Sequence, residues 1–453
     1  MSKTQRHWLV VIIVTAVLLR LGSAIYMGNQ VVELPGVFDQ ISYDALARRV
    51  IAGSGFSFGL LWWPVTAANT PTSHWSFLYT LYLAGVYTLF GIAPVAARII
   101  QAIMAGILMP LLIYRLAARV FGPLPGLVAA AISAVYIYFF YYAGSLMTET
   151  FFFIGILWSF DLAIGIRYSQ NPRISQWLLL GLAMTMTVLL RQTFLPVIGL
   201  IGVWLWYAAK GARCRVIQGF SLSILIVMLG IAPWTIRNYR VFHQFVLLNT
   251  NAGYAFYWAN HPMFGTDFPN VLPEGVTWVS LIPQELIGMD EASLEKELMR
   301  RSLQSILDDP RRYLLLSLSR LEDQFIFWPT SKSPLISDLS RLGSFGLFLP
   351  FMCYGAWLVI FRPGRFKLYV ESGMGGLSSR ISDWLVMPVA LWLGFFILYT
   401  VMHLASWSAP RYRLPTDAVM VIFAGVGIVD VYNRLAARVG CTKEELGERI
   451  HVR

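Results

Sequence analysis

Apolar residues in this chain gather into runs of membrane length, separated by short polar and basic stretches. Residues 8–27, 97–118, 124–141, 148–166, 175–190, 194–209, 217–236, 342–361, 383–404 and 415–433 each approach the roughly 20 apolar residues that carry an α-helix across a bilayer. The first run, Trp8 to Met27, follows Lys3 and Arg6 and precedes no convincing small-residue cleavage site, so it reads as an uncleaved signal anchor. A further apolar stretch, His74 to Phe90, is ambiguous from hydropathy alone.

Charge bias in the short loops resolves that ambiguity. If 74–90 does not span and the N-terminus is cytoplasmic, Arg115/Arg119, Arg167/Arg173, Lys210/Arg213/Arg215, Arg362/Arg365/Lys367 and Arg434/Arg438 all fall inside. The short outer loops then hold Arg191, Arg411 and Arg413. A spanning 74–90 would turn the basic clusters from Arg115 onward outward. The pattern therefore predicts an all-α polytopic membrane protein of about ten spans, with 74–90 along or dipping into the outer face. The predicted organisation is an anchor at 1–27, a first outer loop at 28–96, a core bundle at 97–236, a second outer loop at 237–341, terminal spans at 342–433 and a cytoplasmic tail at 434–453. Both outer regions are too long to be turns. The second carries an amphipathic stretch, Ala292 to Leu307.

Composition agrees. Apolar residues make up 57% and charged residues 13%, against about a quarter charged in a water-soluble domain. The net charge of +11 comes from basic residues scattered singly rather than in a stripe, which argues for membrane topology and anionic lipid and against nucleic acid. Cys214, Cys353 and Cys441 have no metal-type spacing and predict no disulfide framework.

Polar residues with chemical potential collect in the outer regions. Over Phe38–Gly53 the periodicity is helical, with Tyr43, Leu46, Ala47, Val50 and Ile51 on one face and Asp44 paired with Arg48 on another. This predicts a short helix on the membrane surface, with Asp39 at its N-cap. Asp39 could be only a cap and Asp44 only an ion-pair partner. Alternatively Asp39 points into a cavity as a general base or metal ligand, because carboxylates kept near a bilayer are usually used.

The run Asp39-x-x-x-Tyr43-Asp44-x-Leu46-Ala47 ending in Gly53-x-Gly55-Phe56 resembles the first outer loop of GT-C glycosyltransferases, of the family-39-like group that includes protein O-mannosyltransferases and the lipid A aminoarabinose transferase. Leu146-Met147-Thr148-Glu149, Leu190-Arg191-Gln192-Thr193, Pro233–Tyr239, Asn249–Tyr254, Trp258–Pro262 and Arg411-Tyr412-Arg413-Leu414-Pro415 resemble further elements of that family, in order along nearly the whole chain. Many relatives carry a basic residue before a proline pair where this chain reads Asn69-Thr70-Pro71-Thr72-Ser73-His74-Trp75; His74 could partly replace it. The resemblance implies a GT-C-like bundle with membrane-surface helices in both outer loops. It also implies transfer of a sugar from a polyprenyl-phosphate donor to a glycan, lipid or protein acceptor outside the cytoplasm, with inversion at the anomeric carbon. In a bacterium this would be an inner-membrane protein with a periplasmic site.

Such a reaction needs a carboxylate to take the acceptor proton and cations to hold the departing phosphate. Asp39, Asp44 and Glu149 are the candidate catalytic residues. Arg191, Arg237, Arg411, Arg413, Tyr254, His261 and His74 are the candidate substrate-binding residues. Each has a plainer reading: arginines at span ends snorkel to headgroups, and tyrosines and tryptophans form interfacial belts. His261 or His403 with a carboxylate could hold a divalent metal, but no tight spacing supports it and the metal is left unassigned. A flippase or transporter, and a non-catalytic subunit that binds the carrier lipid, are the competing functions. The first would favour internal repeats and mid-membrane charges, which are not evident here.

Overall fold

A computed structural model describes residues 1–34, 38–209, 211–269, 272–330, 333–362 and 385–438. Lys210, Arg365, Lys367 and Cys441, the start of the 383–404 run and most of the expected tail lie outside the described residues. The described chain is helical: α1 (Lys3–Met27), α2 (Asp39–Ile51), α3 (Phe77–Phe90), α4 (Pro94–Phe121), α5 (Pro123–Val135), α6 (Ile137–Gly144), α7 (Glu149–Arg167), α8 (Ile174–Leu190), α9 (Leu195–Ala208) and α10 (Arg213–Phe242) come first. After them come α11 (Ala252–Ala259), α12 (Glu291–Asp308), α13 (Pro310–Phe325), α14 (Leu335–Arg341), α15 (Leu347–Phe361), α16 (Pro388–Ala405) and α17 (Pro410–Arg438).

Among the described residues, seven helices are long and apolar enough to cross a membrane, α14 and α15 counting as one through the π-helical turn Leu342–Gly346. The pair α5/α6, bent by 51°, makes an eighth. Each run predicted to span is helical over most of its described residues, but α8 and α9 have only 17 and 14 residues, so helix length alone supports fewer than ten spans. Both nevertheless run between the same two ends of the bundle as α7 and α10: the ends of α7 and α9 and the starts of α8 and α10 line one cup. Helix α3, at 14 residues, is about 21 Å long, well short of a hydrocarbon core of about 30 Å. It packs on α2, α4 and α8.

The break at Tyr136 has a physical cause and a remedy. Tyr136 is extended, at φ −64° and ψ 110°, which frees carbonyls at the end of α5. Arg20, fully buried in α1, donates to the carbonyl oxygens of Ser133 (3.0 Å) and Ala134 (3.5 Å). At the end of α6, Gln101 of α4 donates to the carbonyls of Tyr142, Ala143 and Ser145, and Arg98 to that of Gly144. Unsatisfied carbonyls would cost several kcal/mol each in lipid, so Arg20 maintains the break, while Gln101 and Arg98 maintain the end of α6.

Arg98 also places the first outer loop. Its remaining nitrogens donate to Gly28 O (2.6 Å), at the end of α1, and to Gln40 Oε1 (3.2 Å), in the first turn of α2. Tyr43, Leu46 and Ala47 bury their apolar face in the protein, packed with α3. The expected surface helix is thus seated on the bundle, with Ile51 left exposed.

The second outer region packs on the first. Asp290 caps α12 by accepting from the amides of Ala292 and Ser293, which fixes the start of the expected amphipathic stretch. Leu294 and Leu298 bury against Tyr254, Tyr257 and Trp258. The carboxylate of Glu291 is the hinge pin between the two regions. It accepts from Thr66 Oγ1 (3.0 Å), Thr72 Oγ1 (2.7 Å), the Ser73 amide (2.7 Å) and Thr250 Oγ1. Asn249 and Asn251 add bonds to the carbonyls of Ser73, His74 and Trp75.

Two outcomes follow for stability. Helices α15 and α17 touch backbone to backbone: a Cβ at Gly355 would lie 1.9 Å from Phe423 O, and one at Gly427 2.6 Å from Phe351 O. Gly355→Leu should lower the thermal midpoint of the detergent-solubilised protein by several degrees, an overpacking cost of about 1–3 kcal/mol or more, whereas Gly85→Ala, with nothing within 4 Å, should be neutral. Glu291→Ala should strand four donors at a cost on the order of 3 kcal/mol. Limited proteolysis should show it as faster cleavage within residues 243–334, with helical circular dichroism unchanged.

Candidate active site

Asp39 is the first helical residue of α2 and makes no capping hydrogen bond; Phe38 occupies the N-cap. Its neighbour Gln40 is held from both sides, accepting from Arg98 and donating to Val32 O. That grip fixes where the first turn of α2 sits. The Asp39 carboxylate instead pairs with Arg411, at the start of α17, and both side chains keep about a fifth of their surface exposed (22% and 19%).

Beside it lies a second pair. Glu149, 1% exposed, opens α7 and takes Arg191 Nη2 at 2.5 Å. Arg191 follows the last turn of α8 and also donates from Nε to Thr148 Oγ1 at 2.9 Å. Tyr412 joins the two pairs. Its hydroxyl accepts from Arg411 Nη2 at 2.9 Å, and the guanidinium carbons of Arg411 and Arg191 stand 4.9 and 5.9 Å from its ring centre. A ring face within about 6 Å of a cation attracts it. Four parts of the chain thus bring two carboxylates and two guanidiniums to one end of the bundle. Tyr43 of α2 lies in the same field; burial first, then the Asp39 charge, pushes its hydroxyl well above the usual phenol range.

The other sequence candidates are placed elsewhere or hold structure. Both oxygens of Asp44 are taken, by Arg48 (2.7 Å) and the Tyr87 hydroxyl (2.6 Å), so it braces α2 against α3. Arg413 is fully buried, bonded to Asp417 and to Gln324 O (2.8 Å), with Tyr136 also donating to Asp417 (2.7 Å). Arg237 donates to Thr72 O (3.0 Å) and Ser73 Oγ (2.7 Å), clamping the first outer loop from the end of α10. Tyr254 is buried against His74 and Trp258. His261 lies apart, its Nδ1 accepting from the Met263 amide and its carbonyl from Arg312. His74 packs among Trp63, Trp75 and Tyr254.

Several residues at the site carried no usable signal in the sequence. Tyr412 stood inside the quoted Arg411–Pro415 run without a role. His403, weighed only as a metal ligand, stacks on Tyr412 (ring centres 4.8 Å, 15° between planes) and meets Tyr399 edge-on at 4.7 Å. Its Nδ1 is 3.0 Å from Trp407 O, which makes Nδ1 the protonated nitrogen and leaves Nε2 a buried lone pair. Gln40 and Arg98 place Asp39 but looked like ordinary polar residues. Among the described residues no three His, Cys, Asp or Glu side chains are grouped to share a metal ion.

Burial lowers the His74 imidazole below its usual 6.5, with Glu291 and Asp39 opposing in part. The unfolded chain therefore takes up the His74 proton first as pH falls. The His74 contribution should be intact above about pH 6.5 and should lessen stability progressively below it. Thermal midpoints from pH 7.5 to 5 should fall more steeply for the natural protein than for His74→Asn.

Residues 74–236 match the family model described as dolichyl-phosphate-mannose-protein mannosyltransferase. No curated protein sequence matches the chain. Among solved structures, the oligosaccharyltransferase AglB of Archaeoglobus fulgidus, in complex with an inhibitory peptide and a dolichol-phosphate, superposes with a TM-score of 0.58 at 13% identity, over 97% of this chain and 52% of that one. The apo form of the Archaeoglobus fulgidus oligosaccharyltransferase gives 0.56 at 13% identity, over 98% and 53%. The chain thus spans about half the length of these structures. ArnT from Cupriavidus metallidurans bound to undecaprenyl phosphate is a looser likeness, at TM-score 0.43 and 12% identity over 94% of this chain and 79% of that one. The superposition gives this chain the GT-C-like helical fold of that oligosaccharyltransferase, and its membrane-length apolar helices make it an integral membrane protein.

Proposed function

We propose that the chain is a glycosyltransferase that moves a sugar from a polyprenyl-phosphate donor to an acceptor hydroxyl at the membrane face bearing Asp39, the non-cytoplasmic face by charge bias. The carrying observation is the pairing of Asp39 with Arg411 beside Glu149 with Arg191 at one end of the bundle. The match to a mannosyltransferase family model and the fold shared with a dolichol-phosphate-bound transferase support the same reading.

In this mechanism the donor phosphate competes for Arg411 and Arg191, the cations suited to bidentate phosphate contact. As Arg411 turns to the phosphate, the Asp39 carboxylate is released to accept a hydrogen bond from the acceptor hydroxyl. The hydroxyl oxygen bonds to the anomeric carbon as the bond from that carbon to the phosphate oxygen breaks. The proton passes to Asp39 and the electron pair leaves with the phosphate. The charge gained by the phosphate is matched by the charge lost at Asp39, so the site's net charge is the same before and after. One displacement inverts the anomeric centre. Glu149 keeps Arg191 oriented and is a positioning residue.

Asp39→Asn should cut transfer from a polyprenyl-phosphate sugar to acceptor by about 10²–10⁴-fold, with binding of undecaprenyl phosphate retained in a photo-crosslinking assay. Arg411→Gln and Arg191→Gln should weaken that binding as well. Full transfer by Asp39→Asn would remove Asp39 as the base. Carrier binding by the natural protein without turnover, across a panel of donors and envelope acceptors, would favour the carrier-binding subunit.

A further inference from the structure

At the end of the bundle opposite Asp39, four helix ends enclose a cup of about 720 Å³. It lies between the end of α7, the start of α8, the end of α9 and the start of α10, so α7 and α8 separate it from Glu149 and Arg191 by their whole length. Its polar wall carries Arg167, Asn171, Arg215 and Gln218, and its floor is apolar, with Trp177 and Leu222. Among the described residues no Asp or Glu lines it. Arg215 Nη1 reaches Asn171 Oδ1 at 3.2 Å, and the buried Arg167 Nε has no hydrogen-bond partner. Helix α10 starts at the rim without a side-chain cap, so its first amides are open donors, an arrangement that favours an anion. Below the rim, Leu178, Leu182, Ile217 and Leu225 of α8 and α10 are exposed; in a membrane protein that surface faces acyl chains.

We propose that this cup binds the phosphodiester headgroup of an anionic phospholipid, with an acyl chain laid along α8 and α10. Two guanidiniums without a carboxylate select negative charge, the amides of Asn171 and Gln218 supply neutral donors, and the apolar floor running onto a lipid-facing surface selects a lipid over a soluble anion. The basic residues that the loop-charge rule assigns to topology thereby gain a ligand. The proposal stands apart from the sugar-transfer reading, since no residue of the cup belongs to that site.

Native mass spectrometry of the full chain in mild detergent tests it, with phosphatidylglycerol titrated against phosphatidylcholine. The natural protein should retain one phosphatidylglycerol in preference to phosphatidylcholine, and the double variant Arg167→Gln/Arg215→Gln should lose that preference roughly tenfold or more. Ala212→Glu keeps both arginines and adds a carboxylate to the exposed start of α10, where helices tolerate one; it should weaken binding as well, and it guards against misfolding of the double variant. Equal retention of the two lipids, or unchanged binding in Ala212→Glu, would overturn the proposal. So would displacement of phosphatidylglycerol by inorganic phosphate, which would mark a soluble-anion site, or by equimolar undecaprenyl phosphate, which would mark a site for the carrier lipid.

Discussion

A backbone carbonyl without a partner is tolerated poorly inside a bilayer, and this protein breaks a helix there. The interruption between α5 and α6 releases carbonyls that Arg20 collects, and the end of α6 releases more, which Arg98 and Gln101 collect. Arg98 does more than satisfy a carbonyl. Because it also holds Gly28 O and Gln40, the requirement that the carbonyls at the end of α6 be satisfied fixes where α2 begins. The Asp39 carboxylate one residue away inherits its position from a constraint that has nothing to do with chemistry.

The same economy runs through the outer regions. Glu291 gathers four neutral donors from both loops, and Arg237 clamps the first loop from the end of a membrane helix. These ties leave the ion pairs Asp39–Arg411 and Glu149–Arg191 on a framed platform with partial access to solvent. Preorganised charge of this kind is most effective where water is scarce. Tyr412, shared by both arginines, links the two pairs.

Much of this was legible in the sequence, for definite reasons. Helices enclosed by lipid must be apolar over long runs, so their positions show in hydropathy. Their lengths were less legible, because α8 and α9 gain support from neighbours and need not satisfy a simple length rule. Asp39, Glu149, Arg191 and Arg411 could be nominated together because their flanking motifs resembled a family. Asp44, Arg237 and Arg413 looked equivalent to them, since residue type and span-end position do not reveal which partner a charge finds. Arg413 finds Asp417 one turn along its own helix, whereas Arg411, two residues earlier, faces the other way. The roles of Gln40, Arg98 and Glu291 depend on contacts between distant segments, which no local pattern encodes.

The Asp39–Arg411 pair joins residues 372 positions apart. During synthesis the first of them emerges early and the second only with α17, so the carboxylate waits through 372 residues of translation for its counter-ion. A chain stopped short of α17 has its early helices and outer loops but no Arg411, Tyr412 or Asp417. Completion of the charged centre therefore waits until the polypeptide has been made as far as α17. A copy that stops before α17 leaves Asp39 at one membrane face without its counter-ion.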